Sequence, residues 1–79
     1  MIFDEVVELL SAQMNIDKSM LRPETRFVED LHTDSLDMVE MLIALEDKYN
    51  ITVPDEDTKQ LETLGKLVEY VEAKIAQSE

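Results

Sequence analysis

Ser35-Leu36-Asp37-Met38-Val39-Glu40-Met41-Leu42-Ile43-Ala44-Leu45-Glu46-Asp47-Lys48-Tyr49 is the stretch that decides the fold, because no glycine or proline interrupts it and its apolar residues recur at helical spacing. At about 100° per residue counted from Leu36, the side chains of Met38, Met41, Leu42, Leu45 and Tyr49 share one broad arc centred at about 200°. That arc is the expected core face. Leu36 and Ile43 fall outside it, at about 0° and 340°, among Glu40 and Asp47 at about 40° and 20°. Val39 and Glu46 border this second arc. An apolar pair embedded among acids has the makeup of a docking surface, although single exposed apolar residues are ordinary on any protein. The surroundings favour docking: Glu29, Asp30, Asp34, Asp37, Glu40, Glu46 and Asp47 occur between 29 and 47 without one Lys or Arg, an asymmetry a merely solvated face does not need.

Working outward, the N-terminal segment repeats the helical pattern. Phe3, Val6, Val7, Leu10 and Met14 lie on one side and Asp4, Glu5, Glu8, Ser11 and Gln13 on the other, which predicts a helix over 2–14. The stretch 15–34 has no sustained period and contains Pro23. It reads as a long connection pinned to the core at Ile16, Leu21, Phe27, Val28 and Leu31, and connections this long are usually functional. After the central helix, Pro54 leads into a short helix over about 55–61, with Asp55 as the expected N-cap and acids in its first turn. Thr63 can cap a last helix over about 64–76, whose stripe is Leu64, Leu67, Val68, Val71 and Ile75, with Glu62, Lys66, Glu69, Glu72 and Lys74 toward water. The expected architecture is all-α: a four-helix bundle with one short helix and a long loop between the first two helices, in a single domain over 1–79.

Composition limits what such a domain can do. Seventy-nine residues bury only a thin core, and walling off a multi-residue catalytic pocket inside it is difficult. Nineteen acids against seven Lys and Arg leave a net charge of −12, which repels nucleic acid and anionic membranes and calls for basic partners. The 44% of apolar residues, set at helical period, argue against disorder. There is no cysteine, so any thiol chemistry must arrive on an attached group. No signal peptide or membrane span is apparent, and a soluble cytoplasmic monomer is expected.

Ser35 stands where the central helix begins, and serine there is first of all a helix cap. A helix start, with free N–H groups and the positive end of the dipole, also suits a phosphate. Two other chemistries could draw on these residue types. A hydrolytic triad would draw on Ser35, His32 and one of Asp30, Asp34 or Asp37, but no glycine-flanked nucleophile elbow exists and no oxyanion element can be named. A helical calcium loop needs acids at alternate positions followed by a glycine, and Gly65 is in the wrong place.

The residues Phe27-Val28-Glu29-Asp30-Leu31, Asp34-Ser35-Leu36-Asp37, Val39-Glu40, Ala44-Leu45-Glu46 and Pro54-Asp55-Glu56 resemble the acyl carrier protein family in order and spacing. The resemblance covers the chain from the first helix to the last. It implies that Ser35 carries 4′-phosphopantetheine, transferred from coenzyme A by a phosphopantetheinyl transferase with Mg²⁺, and that Asp34 helps present the serine. It further implies that acyl chains ride on the arm's thiol as thioesters and slip between the helices, with Met38, Met41, Leu42, Leu45, Phe27 and Val28 as the candidate lining. The protein itself then needs no catalytic residue. Partners expected on this basis are the transferase, fatty acid synthase enzymes and acyltransferases with basic docking surfaces, meeting a face made of Leu36, Asp37, Val39, Glu40, Ile43 and Asp47. The acidic central helix, Asp34 and the length favour the free-standing, fatty-acid type over polyketide, peptidyl or D-alanyl carriers. The chain departs from the family at His32-Thr33, where a glycine and a small residue are usual, and at Lys48, where an acid is common.

Overall fold

Each of the three long apolar-periodic runs forms an α-helix in the computed structural model, which describes residues 1–78. They are α1 (Ile2–Met14), α2 (Ser35–Tyr49) and α3 (Leu64–Ser78), and two 3₁₀ helices, Lys18–Met20 and Asp55–Gln60, lie in the connections. The bounds of α1 and α2 are those the spacing predicts, and α3 runs two residues past the expected 76. Both α1 and α2 stop at an asparagine, Asn15 and Asn50, each with φ 55° in the left-handed region. Asparagine tolerates that conformation and closes the last turn, its N–H donating to the carbonyl of Ser11 or Glu46. Thr63 caps α3 as expected, its hydroxyl accepting the Lys66 N–H at 3.2 Å.

The core is the meeting of the three stripes. Val6, Val7 and Leu10 of α1, Met41, Leu42 and Leu45 of α2, and Leu64, Leu67, Val68 and Val71 of α3 are buried, with Leu21, Phe27, Ile51, Val53 and Leu61 from the connections. Phe3, Met14, Met38, Tyr49 and Ile75 pack at its edge, half-buried. Leu36, Val39 and Ile43 stay 64%, 52% and 57% exposed, which places the second arc of α2 outside the core.

The long connection is not loose. Its 3₁₀ turn starts at Asp17, whose carboxylate accepts the Ser19 N–H. Thr25 is buried, donating its hydroxyl to the Met20 carbonyl and accepting the Arg22 N–H, both at 2.9 Å. The segment is then stitched to the start of α3: Leu64 N–H donates to Thr25 O, Gly65 N–H to Pro23 O, and Phe27 N–H to Glu62 O. A β-carbon at Gly65 would lie 2.9 Å from the Pro23 carbonyl oxygen, so this closure requires glycine.

Three expectations are corrected. The short helix forms over Asp55–Gln60 as a 3₁₀ helix, but Pro54, not Asp55, occupies its N-cap without a side-chain hydrogen bond. Proline's fixed φ already sets the extended entry, and Asp55 instead lends its carbonyl to the Thr58 hydroxyl at 2.7 Å. Val28 is not a core anchor; it is 65% exposed, because Phe27 takes the inward direction at that bend. The connection between α1 and α2 also contains a 3₁₀ turn where no regular structure was expected.

Candidate functional site at the start of α2

Asp34 has extended backbone, and its Oδ1 accepts the Asp37 N–H at 2.9 Å while Asp37 Oδ2 accepts the Asp34 N–H at 3.3 Å. The pair is a capping box that satisfies two otherwise orphaned donors. Asp34 therefore caps α2, and the reading of Ser35 as the cap is corrected: Ser35 occupies the first helical position. A carboxylate one residue earlier, with a second acid three residues on, takes the capping role and leaves the serine hydroxyl over. The Ser35 side chain is exposed and has no hydrogen bond among the described residues. The spacing Asp34-x-x-Asp37 was the legible signal for this arrangement.

The approach to the site carries strain. His32 adopts φ 56°, a region that glycine enters freely and that other residues occupy at a cost. The departure from the family pattern at this position thus falls on a left-handed residue. The next residue, Thr33, is buried, and its Oγ1 has no hydrogen-bond partner, a condition that costs about 1–3 kcal/mol for a typical hydroxyl. Upstream, a turn is held by Asp30, whose carboxylate accepts the Arg26 N–H at 2.8 Å and faces its guanidinium, with Glu29 paired to the same Arg26. The Arg26 contacts to Asp30, the backbone N–H above all, hold its carboxyl below the usual carboxylate range.

Beside Ser35 a cavity of about 280 Å³ opens between α2 and the second 3₁₀ helix, lined by Met38, Val39, Leu42, Ile43, Glu46, Val53, Asp55 and Thr58. Of the expected acyl lining, Met38 and Leu42 reach this cavity, and Phe27 and Val28 line a second one with Met38. Met41 and Leu45 reach neither and are fully buried in the core. Val53 and Thr58 were missed, since their inward placement depends on how the 50–61 segment folds back. Glu46 helps set that fold by accepting the Val53 N–H at 2.8 Å. Tyr70 donates to Asp57, and Tyr49 to Glu5, tying the 3₁₀ helix to α3 and α2 to α1. Burial, then the facing carboxylate, pushes each tyrosine up to about 12.

The face made of Leu36, Asp37, Val39, Glu40, Ile43 and Asp47 is exposed throughout. Glu40 and Asp47 have no ion-pair partner among the described residues; the ion pairs seen engage Lys18 with Glu8, and Arg26 with Glu29 and Asp30. Lys48 is turned onto the Tyr49 ring, 5.6 Å from its centre. No described helix is long and apolar enough to cross a membrane.

A phosphopantetheine group fits the residues present. The exposed hydroxyl of Ser35 lies at a helix start, where the dipole and the first N–H groups favour a phosphodiester, and an apolar-walled cavity opens within reach of it. Residues 4–71 match the family described as "Phosphopantetheine attachment site". The chain is 45% identical to the acyl carrier protein of Wolinella succinogenes over 71 residues, covering 90% of this chain and 93% of that protein. It is 42% identical to the acyl carrier protein of Helicobacter hepaticus, at 90% and 93% coverage, and 41% identical to that of Helicobacter pylori strain J99, at 90% and 91%. Matched to this family over most of its length and to acyl carrier proteins at 41–45% identity, this all-helical acidic chain belongs to the acyl carrier protein family.

Proposed function

We propose that Ser35 carries the 4′-phosphopantetheine arm and that the chain serves as a single-domain carrier of acyl intermediates in fatty acid biosynthesis by a dissociated synthase, itself catalysing nothing. The observation that carries this reading is the Ser35 hydroxyl, left free by the Asp34–Asp37 capping box at a helix start beside an apolar-walled cavity. When attached, the arm supplies a terminal thiol on which acyl groups are held as thioesters, a group this cysteine-free chain lacks. Asp34 fixes the turn that presents the hydroxyl. The free N–H groups of the first helical turn would hold the phosphodiester. Met38 and Leu42 offer an apolar wall to the acyl chain.

Phosphopantetheinyl transferase, synthase enzymes and acyltransferases with basic surfaces meet the face of Leu36, Asp37, Val39, Glu40, Ile43 and Asp47. The acids steer encounter and the apolar residues supply contact. With a net charge of −12, such partners are attracted from any approach, and the uncompensated acids of α2 concentrate that attraction near Ser35.

Incubation with coenzyme A, Mg²⁺ and a broad-specificity phosphopantetheinyl transferase is expected to add one arm by intact mass, and Ser35→Ala to add none. An unchanged mass for the unaltered chain, or an adduct that persists in Ser35→Ala, would overturn the assignment.

A further inference from the structure

A third cavity, of about 250 Å³, lies where the last turn of α1 faces the start of α2, and it shares no lining residue with the two described above. Asp37 and Glu40 of α2 stand on its polar side with Thr33, and Met14, Ile16 and Leu31 form an apolar wall. These three apolar residues are half-buried against the core.

Separate features of this cavity ask for the same kind of ligand. Thr33 is 6% exposed, and its Oγ1 has no hydrogen-bond partner among the described residues. Glu40 has no ion-pair partner among them either. Asp37 Oδ2 accepts the Asp34 N–H, but a carboxylate has lone pairs to spare beyond one such bond. Finally, α1 ends here with no basic residue in its last turn, so the negative end of its dipole is uncompensated. Anions are repelled, and a cation bearing several N–H donors answers all of these groups at once.

A bare metal ion fits less well. No group of three His, Cys, Asp or Glu side chains among the described residues is placed to hold one, and the apolar wall would do nothing for it. That wall suits the methylene stem of a long basic side chain, whose charged head then lies against the acids. Arginine matches better than lysine, because its five donors reach acceptors on several sides and a guanidinium gives up water more readily than an ammonium.

We infer that this cavity is a slot for an arginine side chain of a partner protein, with Asp37 and Glu40 against the guanidinium and the Thr33 hydroxyl accepting one of its N–H groups. The inference rests on the docking face proposed above and deepens it. Asp37 and Glu40 belong to both, so an arginine seated here carries the contact from α2 round to the end of α1. Thr33 falls at the His32-Thr33 departure from the family pattern, and it acquires a recognition role through a hydroxyl the fold leaves unused.

The test uses the whole unmodified chain, isotope-labelled for NMR and titrated at constant ionic strength with N-acetyl-arginine methylamide. The lysine analogue and the neutral citrulline analogue serve as comparisons. The arginine compound is expected to shift the Thr33 and Glu40 amides and the Ile16 methyl groups together and saturably. Lysine should bind several-fold more weakly and citrulline not at all. Thr33→Val keeps the side chain's shape and removes the orphaned hydroxyl, so Tm is expected to rise while arginine affinity falls several-fold. Glu40→Gln, at an exposed position, is expected to lower the affinity as well. Shifts spread evenly over the acids of the chain, a lysine response equal to that of arginine, or Thr33→Val binding as tightly as the unaltered chain would overturn the slot. Dissociation kinetics of Leu36→Ser and Ile43→Ser, which lie outside the cavity, test the docking face separately. Failed arm transfer with the arginine result as expected would count against the arm at Ser35 and leave the slot standing.

Discussion

At Asp34 one side chain is asked to do two things, and the two can be separated. Its Oδ1 closes the capping box with Asp37, and its charge lies beside the Ser35 hydroxyl, the proposed attachment point of the arm. Asp34→Ala removes the acceptor and is expected to lower stability by about 1 kcal/mol, the usual value of a lost cap, which in a domain this small moves Tm by roughly 4–8 °C. Asp34→Asn keeps an acceptor at the same place. It is expected to melt near the original temperature yet to receive the arm more slowly in the mass assay. An Asn variant as unstable as the Ala variant would mean that charge against the helix dipole, and not acceptor geometry, holds the turn. His32 shows the converse at the same scale. Its left-handed φ is visible only in the folded chain, although its occurrence just before the helix start is where the family's glycine would have foretold it.

At the scale of the element, α2 has one face buried in the core and one exposed face proposed for docking, and substitutions should sort by face. Leu45 is fully buried, and Leu45→Ala is expected to cost on the order of 2–5 kcal/mol. Leu36→Ser and Ile43→Ser truncate side chains 64% and 57% exposed, and are expected to leave thermal melting nearly unchanged while speeding dissociation from a transferase or ketosynthase. Glu40→Lys reverses a charge that has no local partner. It is expected to slow association, most strongly at low ionic strength, since steering by exposed charge is screened by salt. Should Ile43→Ser unfold the domain while Glu40→Lys leaves partner kinetics unchanged, the docking face lies elsewhere.

At the scale of the whole molecule, the governing quantity is the charge. A net −12 is spread over a body of 32 × 26 × 20 Å. The Debye length falls from about 30 Å at 0.01 M ionic strength to about 8 Å at 0.15 M, from longer than most of the body to much shorter than it. Self-repulsion across the molecule should therefore be screened within that range, and Tm is expected to rise with added salt or Mg²⁺. A Tm indifferent to both, measured by circular dichroism, would mean that the acids are already compensated locally. The sequence by itself determined the helices and the two faces of α2, because both follow from periodicity along one segment: Leu45 inward and Ile43 outward were readable from the angle between them. It also pointed to Ser35 through short-range pattern. Only the tertiary structure decided that Asp34 holds the cap and frees the hydroxyl, that Val28 turns outward, and that Val53 and Thr58 wall the cavity at Ser35. These depend on how irregular segments fold back across the molecule, where Pro23 meets Gly65 and Glu46 receives the Val53 N–H. Contacts between residues distant in the chain have no period to announce them.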